Sequence, residues 1–185
     1  RRFLQKNLPD YLLEMPRANP LVGSKLPLLD TPPQEITQRW PSVSLGLLNG
    51  PSTALEALPL NHEVSPVKMR GGGKSARAVL TRFLTRRLPS YNIERNHPDL
   101  DATSSLSPYL HFGHISPFEV FVKLAKLEEW SPVRLADKAT GKREGWWGMS
   151  PSAEAFLDQL TTWRELGFNM CRRSEDYDQY ESLPA

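Results

Sequence analysis

Thr103-Ser104-Ser105-Leu106-Ser107-Pro108-Tyr109-Leu110-His111-Phe112-Gly113 is a run in which hydroxyl side chains precede an apolar turn and a glycine closes it. Hydroxyl residues ahead of an apolar turn predict a short helix that opens near Thr103, and Gly113 supplies its stop. At such an opening the first backbone N–H groups have no partner within the helix, and the helix dipole favours negative charge. The hydroxyls beside them can donate to phosphate oxygens. The stretch therefore has two readings, a seat for a phosphate or pyrophosphate and an ordinary helix cap.

On the C-terminal side, Ser116-Pro117 with Glu119 three residues on from Ser116 forms a capping box with proline at the first helical position. The helix it opens is expected to run to about Glu129 and to bury Val120, Leu124 and Leu127. Ser131 to Gly148 reads as a loop ending in Trp146-Trp147, and Ser150-Pro151 opens another helix with Phe156, Leu160, Trp163, Gly167 and Met170 along one stripe. Within it, Trp163 and Arg164 are adjacent and project about 100° apart. One can face a substrate pocket while the other reaches a bound anion; alternatively Trp163 is core and Arg164 pairs with a carboxylate on a neighbouring element. On the N-terminal side, Ala76, Val79, Leu80, Phe83, Leu84 and Leu88 recur at helical spacing up to Pro89, and Tyr91 to Asp101 reads as a polar loop. No strand-like alternation occurs in residues 67–185.

Residues 1–66 differ. They hold ten of the 17 prolines and permit one short helix over Phe3 to Glu14, followed by an extended connector. The division expected is a connector over 1–66 and a helical region over 67–185.

The 185 residues carry a formal net charge of only +2, so the total charge selects no partner. Charge is nevertheless clustered. Lys68, Arg70, Lys74, Arg77, Arg82, Arg86 and Arg87 fall in a stretch without an acidic residue, which is either a footprint for phosphates or a solvated basic helix face. A single cysteine, Cys171, excludes an internal disulfide and fits a reduced, cytoplasmic setting. No apolar run reaches spanning length, so no membrane partner is expected. Gly73-Lys74-Ser75 lacks the earlier glycine of a P-loop, since Lys68 occupies that position. His111 and His114 have no further metal-ligating partner at fixed spacing, and no GxSxG, HExxH or CxxC pattern occurs. Gly71 to Gly73 is read as a flexible lead-in to the helix that follows. A chain that opens on Arg1 and closes on Leu183-Pro184-Ala185 is expected to be a piece of a longer protein.

The order and spacing of these weak signals resemble one family. Tyr91, Arg95-Asn96-His97-Pro98, the run from Thr103 to Gly113 with His114-Ile115-Ser116 after it, and Phe156-Leu157-Asp158-Gln159-Leu160 leading into Trp163-Arg164-Glu165-Leu166 resemble the signature of the DNA photolyases and cryptochromes. Arg164 to Asn169 followed by Tyr177-Asp178 is most similar to the class II-like branch. The resemblance covers about Gly71 to Ala185. It implies a mainly α fold: a partial helical FAD-binding domain of photolyase type over 67–185, after an extended proline-rich linker and the end of an α/β domain over 1–66.

The same resemblance implies that Tyr91 contacts FAD, that Thr103, Ser104, Ser105, Leu106 and Ser107 cradle its phosphates, and that Arg164 lies near the flavin. It places Trp163 and Gln159 at a lesion pocket, with Gln159 where relatives often carry glutamate. It further implies a monomer that binds DNA containing pyrimidine dimers. The activity implied is light-driven electron transfer from FAD to a cyclobutane pyrimidine dimer flipped out of the duplex, with no metal and no side chain as covalent catalyst. Arg70, Lys74 and Arg77 are candidates to hold the DNA backbone. A cryptochrome-like photoreceptor that binds FAD without repair, and an inactive fragment, are the alternatives.

Overall fold

A computed structural model describes residues 1–23, 25–27, 29–49 and 52–182; Leu183, Pro184 and Ala185 lie outside the described residues. Every regular element among the described residues is helical, which agrees with the mainly α expectation. The chain divides into two units, one formed by Arg1–Ala18 with Gly71–Ala185 and the other by Asn19–Arg70.

In the larger unit, α1 (Arg2–Tyr11) includes Pro9 near its end. Of its apolar set only Leu12, just past the helix, is buried, while Phe3 and Tyr11 stay exposed. The buried polar residue is Gln5, whose amide donates to the Lys142 carbonyl at 2.7 Å and accepts from the Gly141 N–H at 2.7 Å. Both ends of a buried amide are thus satisfied by one distant loop, which removes the usual cost of burying it.

The smaller unit holds α2 (Gln34–Arg39) and α3 (Leu45–Asn49). Of the residues between 19 and 70 whose exposure is described, none is buried, so they remove little apolar area from water.

From Gly71 onward the packing is dense. α4 (Gly73–Arg82) buries Ala76 and Leu80 and passes into a π-helical stretch, Phe83–Arg87. A single 3₁₀ turn, Leu88–Ser90, leads directly into α5 (Tyr91–Glu94). Pro89 therefore re-starts a helix, because it sits where a first-turn N–H would have no partner anyway. Tyr91–Glu94 is helical where a loop was expected.

α6 (Ser107–His111) is one short turn, and α7 (Pro117–Leu127) buries Val120, Phe121 and Leu124. The Ser116 hydroxyl caps α7 by accepting from the Phe118 N–H at 3.1 Å, but Glu119 bonds Arg77 and does not close the box. Leu127 lies beyond the core, 52% exposed, beside a surface groove that also holds Leu84.

α8 (Pro151–Leu157), a π-helical stretch Asp158–Trp163 and α9 (Arg164–Arg173) form one continuous run, opened by Ser150 accepting from the Ala153 N–H at 3.3 Å. The expected apolar stripe is buried only through Phe156 and Leu160; Trp163 and Met170 are exposed. The wide turn adds a residue between them and shifts the phase of everything after Leu160.

Phe83, Leu106, Val120, Leu124 and Leu157 are the largest fully buried side chains. Phe83, Tyr91 and Phe156 pack with ring centroids 4.6 to 5.7 Å apart. This aromatic triad ties the π-helical stretch after α4 to α5 and α8 and forms the floor on which the candidate site is built.

Candidate functional site

A cavity of about 660 Å³ opens beside that triad. One wall is the chain segment 103–107, contributing Thr103, Ser104, Ser105 and Ser107; a second is Tyr91 with Phe156; a third is the helical run from α8 to α9, contributing Gln159, Leu160, Arg164 and Phe168. Leu110 and His111 of α6 complete it. Seven of the nine residues singled out from the sequence line this space. The other two do not: Leu106 is fully buried in the core, and Trp163 is absent from the lining.

The hydroxyl wall differs from its expected form. The helix begins at Ser107, not at Thr103, and its cap residue Leu106 makes no side-chain cap bond. The cause is local. Ser105 adopts a left-handed backbone, φ +57°, which a helix cannot include. The Ser104 hydroxyl accepts from the Leu106 N–H at 3.3 Å, closing a tight turn in competition with helix. Leu106, at 0% exposure, anchors that turn. The anion-binding character of the seat thus rests on a loop rich in hydroxyls rather than on a helix end.

The loop is held from outside by Arg87. Its guanidinium donates to the Thr103 carbonyl at 3.0 Å and to the Ser105 hydroxyl at 3.1 Å, and pairs with the Asp101 carboxylate. The sequence placed Arg87 among the basic run, and nothing in its neighbours betrays partners 14 to 18 positions away.

Gln159 and Arg164 share a wall because of the π stretch. Residues five apart in an α-helix lie about 140° around the axis. A turn closed from i to i+5 brings them back to one side. The Thr161 hydroxyl donates to the Leu157 carbonyl at 2.7 Å, a back-bond that supports the widened turn. The Arg164 guanidinium lies 4.8 Å from the Phe168 ring centroid, one turn on, so its charge rests on an aromatic face.

Asp158, next to Gln159, is buried at 5% exposure. It accepts from Arg1 Nε at 2.7 Å, Arg1 Nη2 at 2.8 Å and the Trp163 indole at 3.2 Å. Burial pushes its carboxyl up. The hydrogen bonds from Arg1, Thr162 and Trp163 and the Arg1 charge outweigh that and leave it below its ordinary value. The Trp163 indole is thereby tied to Asp158, and the ring remains 53% exposed. Burial raises the Tyr91 phenol, against a smaller opposing effect of Arg95, so Tyr91 is a neutral wall at physiological pH.

Outside the cavity, Gly71 and Gly73 lie against His114, so the stretch expected to be a flexible lead-in is held to the chain after α6. The Gly72 N–H donates to His114 Nδ1 at 3.1 Å, and a Cβ on Gly71 would lie 2.9 Å from the His114 ring. Among the described residues no group of three metal-ligating side chains occurs. No helix among them is long and apolar enough to cross a membrane.

Chemically, the cavity offers hydroxyl donors and a cation to an anionic portion of a ligand, aromatic faces to a planar portion, and one neutral amide at Gln159. Its volume lies in the range of sites that enclose a small molecule or cofactor.

The sequence is similar to that of several proteins named deoxyribodipyrimidine photo-lyase. The one from Oryza sativa subsp. japonica is 38% identical over 97 residues, which is 52% of this chain and 16% of the relative. That from Arabidopsis thaliana is 28% identical over 180 residues, 96% of this chain and 31% of the relative. That from Methanothermobacter thermautotrophicus is 28% identical over 143 residues, 76% of this chain and 27% of the relative. The chain thus spans less than a third of the length of these curated relatives. No family model matches it.

Proposed function

We propose that the chain is part of a light-dependent DNA-repair lyase of the deoxyribodipyrimidine photolyase family, the name its relatives carry, with the cavity beside Tyr91 as its flavin seat. The observation that carries this reading is the convergence of Tyr91, the hydroxyl loop and Arg164, drawn from three separate segments, on one space. The fit to FAD is good. A dinucleotide needs donors for a pyrophosphate and flat apolar surface for its rings, and the lining supplies both.

In this reading Ser104, Ser105 and Ser107 donate to phosphate oxygens, and Arg164 balances their charge. Tyr91 and Phe156 exclude water from a planar ring. When bound, FAD supplies the light-driven electron transfer. Gln159 can donate to and accept from the edge of a base turned out of the duplex, without adding charge. Residues 67–185 then correspond to part of a helical FAD-binding domain. Residues 1–66 correspond to the linker and the end of a preceding domain, although residues 1–18 share a unit with the helical region.

Lys74, Arg82 and Arg86 are exposed and, with the exposed Arg70, are the candidates in the basic run to meet a DNA backbone. Arg77 is paired with Glu119, and Arg87 serves the loop. DNA binding is accordingly expected to weaken steeply with salt.

The test uses the natural full-length protein. Purified in the dark, it is expected to carry flavin absorbance and to split cyclobutane pyrimidine dimers in DNA under blue light. Flavin without light-dependent repair replaces the lyase by a photoreceptor, and absence of flavin removes both.

A further inference from the structure

We infer that Arg87 is a positioning residue for the flavin seat: its guanidinium fixes the left-handed turn at Ser105 and commits the Ser105 hydroxyl to donate into the cavity. The inference rests on the flavin reading of that cavity and adds to it a residue outside the lining.

Three observations carry it. First, the Arg87 side chain is only 14% exposed, and its fork spans three partners on one short segment: the Asp101 carboxylate, the Thr103 carbonyl and the Ser105 hydroxyl. A planar guanidinium with several donors in fixed geometry sets the relative positions of the groups it binds, which a single ammonium charge cannot do. Second, the segment it grips is in a conformation that needs support. Ser105 has φ +57°, a region costly for a residue with a Cβ, and such residues persist where surrounding contacts over-determine them. Third, a hydroxyl has one proton and two acceptor lone pairs. A guanidinium N–H at 3.1 Å must donate to Ser105 Oγ, because arginine has no acceptor. The Ser105 proton is then free to serve a second partner, and Ser105 lines the cavity. A donor is the polarity that a phosphate oxygen requires.

The position of Arg87 adds to this. It ends the π stretch Phe83–Arg87, four residues before Tyr91 on the opposite wall. One side chain therefore couples the spacing of the two walls, so that a change at Arg87 alters the seat without touching the ligand.

The experiment compares wild type, R87K, S105A and the double variant R87K/S105A in the natural full-length protein. Affinity is measured for FAD and for riboflavin, which has the same ring but no phosphate, together with amide hydrogen exchange at residues 104–107. R87K is expected to weaken FAD by about tenfold or more, equivalent to about 1.4 kcal/mol, while changing riboflavin by less than about twofold. The double variant is expected to bind FAD no more weakly than the worse single variant, since both act through one hydroxyl.

Equal losses for FAD and riboflavin, or additive losses in the double variant, would overturn the inference. So would unchanged flavin binding with weaker, less salt-dependent DNA binding, which would make Arg87 a backbone contact. If wild type binds neither flavin, the flavin reading falls and exchange decides for Arg87. Faster exchange at 104–107 alone in R87K supports the positioning role, and unchanged exchange rejects it.

Discussion

Among the described glycines, Gly148 is the position least able to accept a side chain. Its φ is +65°, and a Cβ there would lie 2.4 Å from the Arg134 carbonyl oxygen, a backbone atom that cannot swing aside. Gly148→Ala is expected to destabilise the chain by about 3 kcal/mol or more, read as a lower denaturation midpoint at unchanged slope.

Asp158 governs a different response. Its folded-state pKa lies below the ordinary 3.8, so its contribution to stability is present above the unfolded value and is lost as pH falls through the folded one. Melting temperature should drop on acidification below about pH 4, and Asp158→Asn should flatten that acid limb while lowering stability near neutrality by about 2 kcal/mol. A variant with an unchanged acid limb would show that the pair with Arg1 carries no such linkage.

At this scale the sequence was informative wherever a residue's chemistry stood among its neighbours. The serines at 104, 105 and 107 and Arg164 line the cavity. Arg87, Asp158 and His114 were not legible in those roles, because Arg87's partner Asp101, Asp158's partner Arg1 and His114's partner Gly72 lie between 14 and 157 positions away.

The run from Pro151 to Arg173 shows what an element contributes beyond its residues. Its opening was plain, since Ser150-Pro151 supplies both the cap and a first residue with no donor to waste. Its interior was not, because a π turn has no compositional mark, and an even 3.6-residue spacing carried the expected stripe to Trp163 and Met170. The turn has a function within the element, since it returns Arg164 to the side of Gln159. Deleting Thr162 should restore α-helical spacing with Gln159 and Arg164 four residues apart, about 40° around the axis, and so keep both on one wall. The expected result in the full-length protein is retained flavin absorbance with helix content by circular dichroism nearly unchanged. Loss of flavin would show that the wide turn itself, and not the shared wall, is what the site needs. The Thr103 segment failed in the opposite way: its hydroxyls suited a helix cap, but Leu106 anchors the turn in the core and Arg87 captures Ser105, so the helix starts four residues late.

Across the chain, the proline-rich composition of 1–66 overlaps the stretch 19–70, in which none of the residues whose exposure is described is buried, while residues 1–18 join the helical unit. The contribution of α1 to the helical unit was less visible. Its attachment relies on the amide of Gln5, the ion pair of Arg1 and the side chain of Leu12 more than on an apolar stripe. Limited proteolysis should cut first within 19–70. At micromolar concentration the piece holding residues 1–18 should still co-elute with the piece beginning near Gly71. Separation of the two on size exclusion would show that α1 is held only by chain connectivity.

Beyond Leu160 the last long helix turns Trp163, Leu166 and Met170 toward solvent, each 47 to 53% exposed. Such a row of greasy side chains makes the 185 residues, handled alone, colloidally unstable. Light scattering should report particles that grow with protein concentration. Mild non-ionic detergent should reverse that growth, and added salt should not.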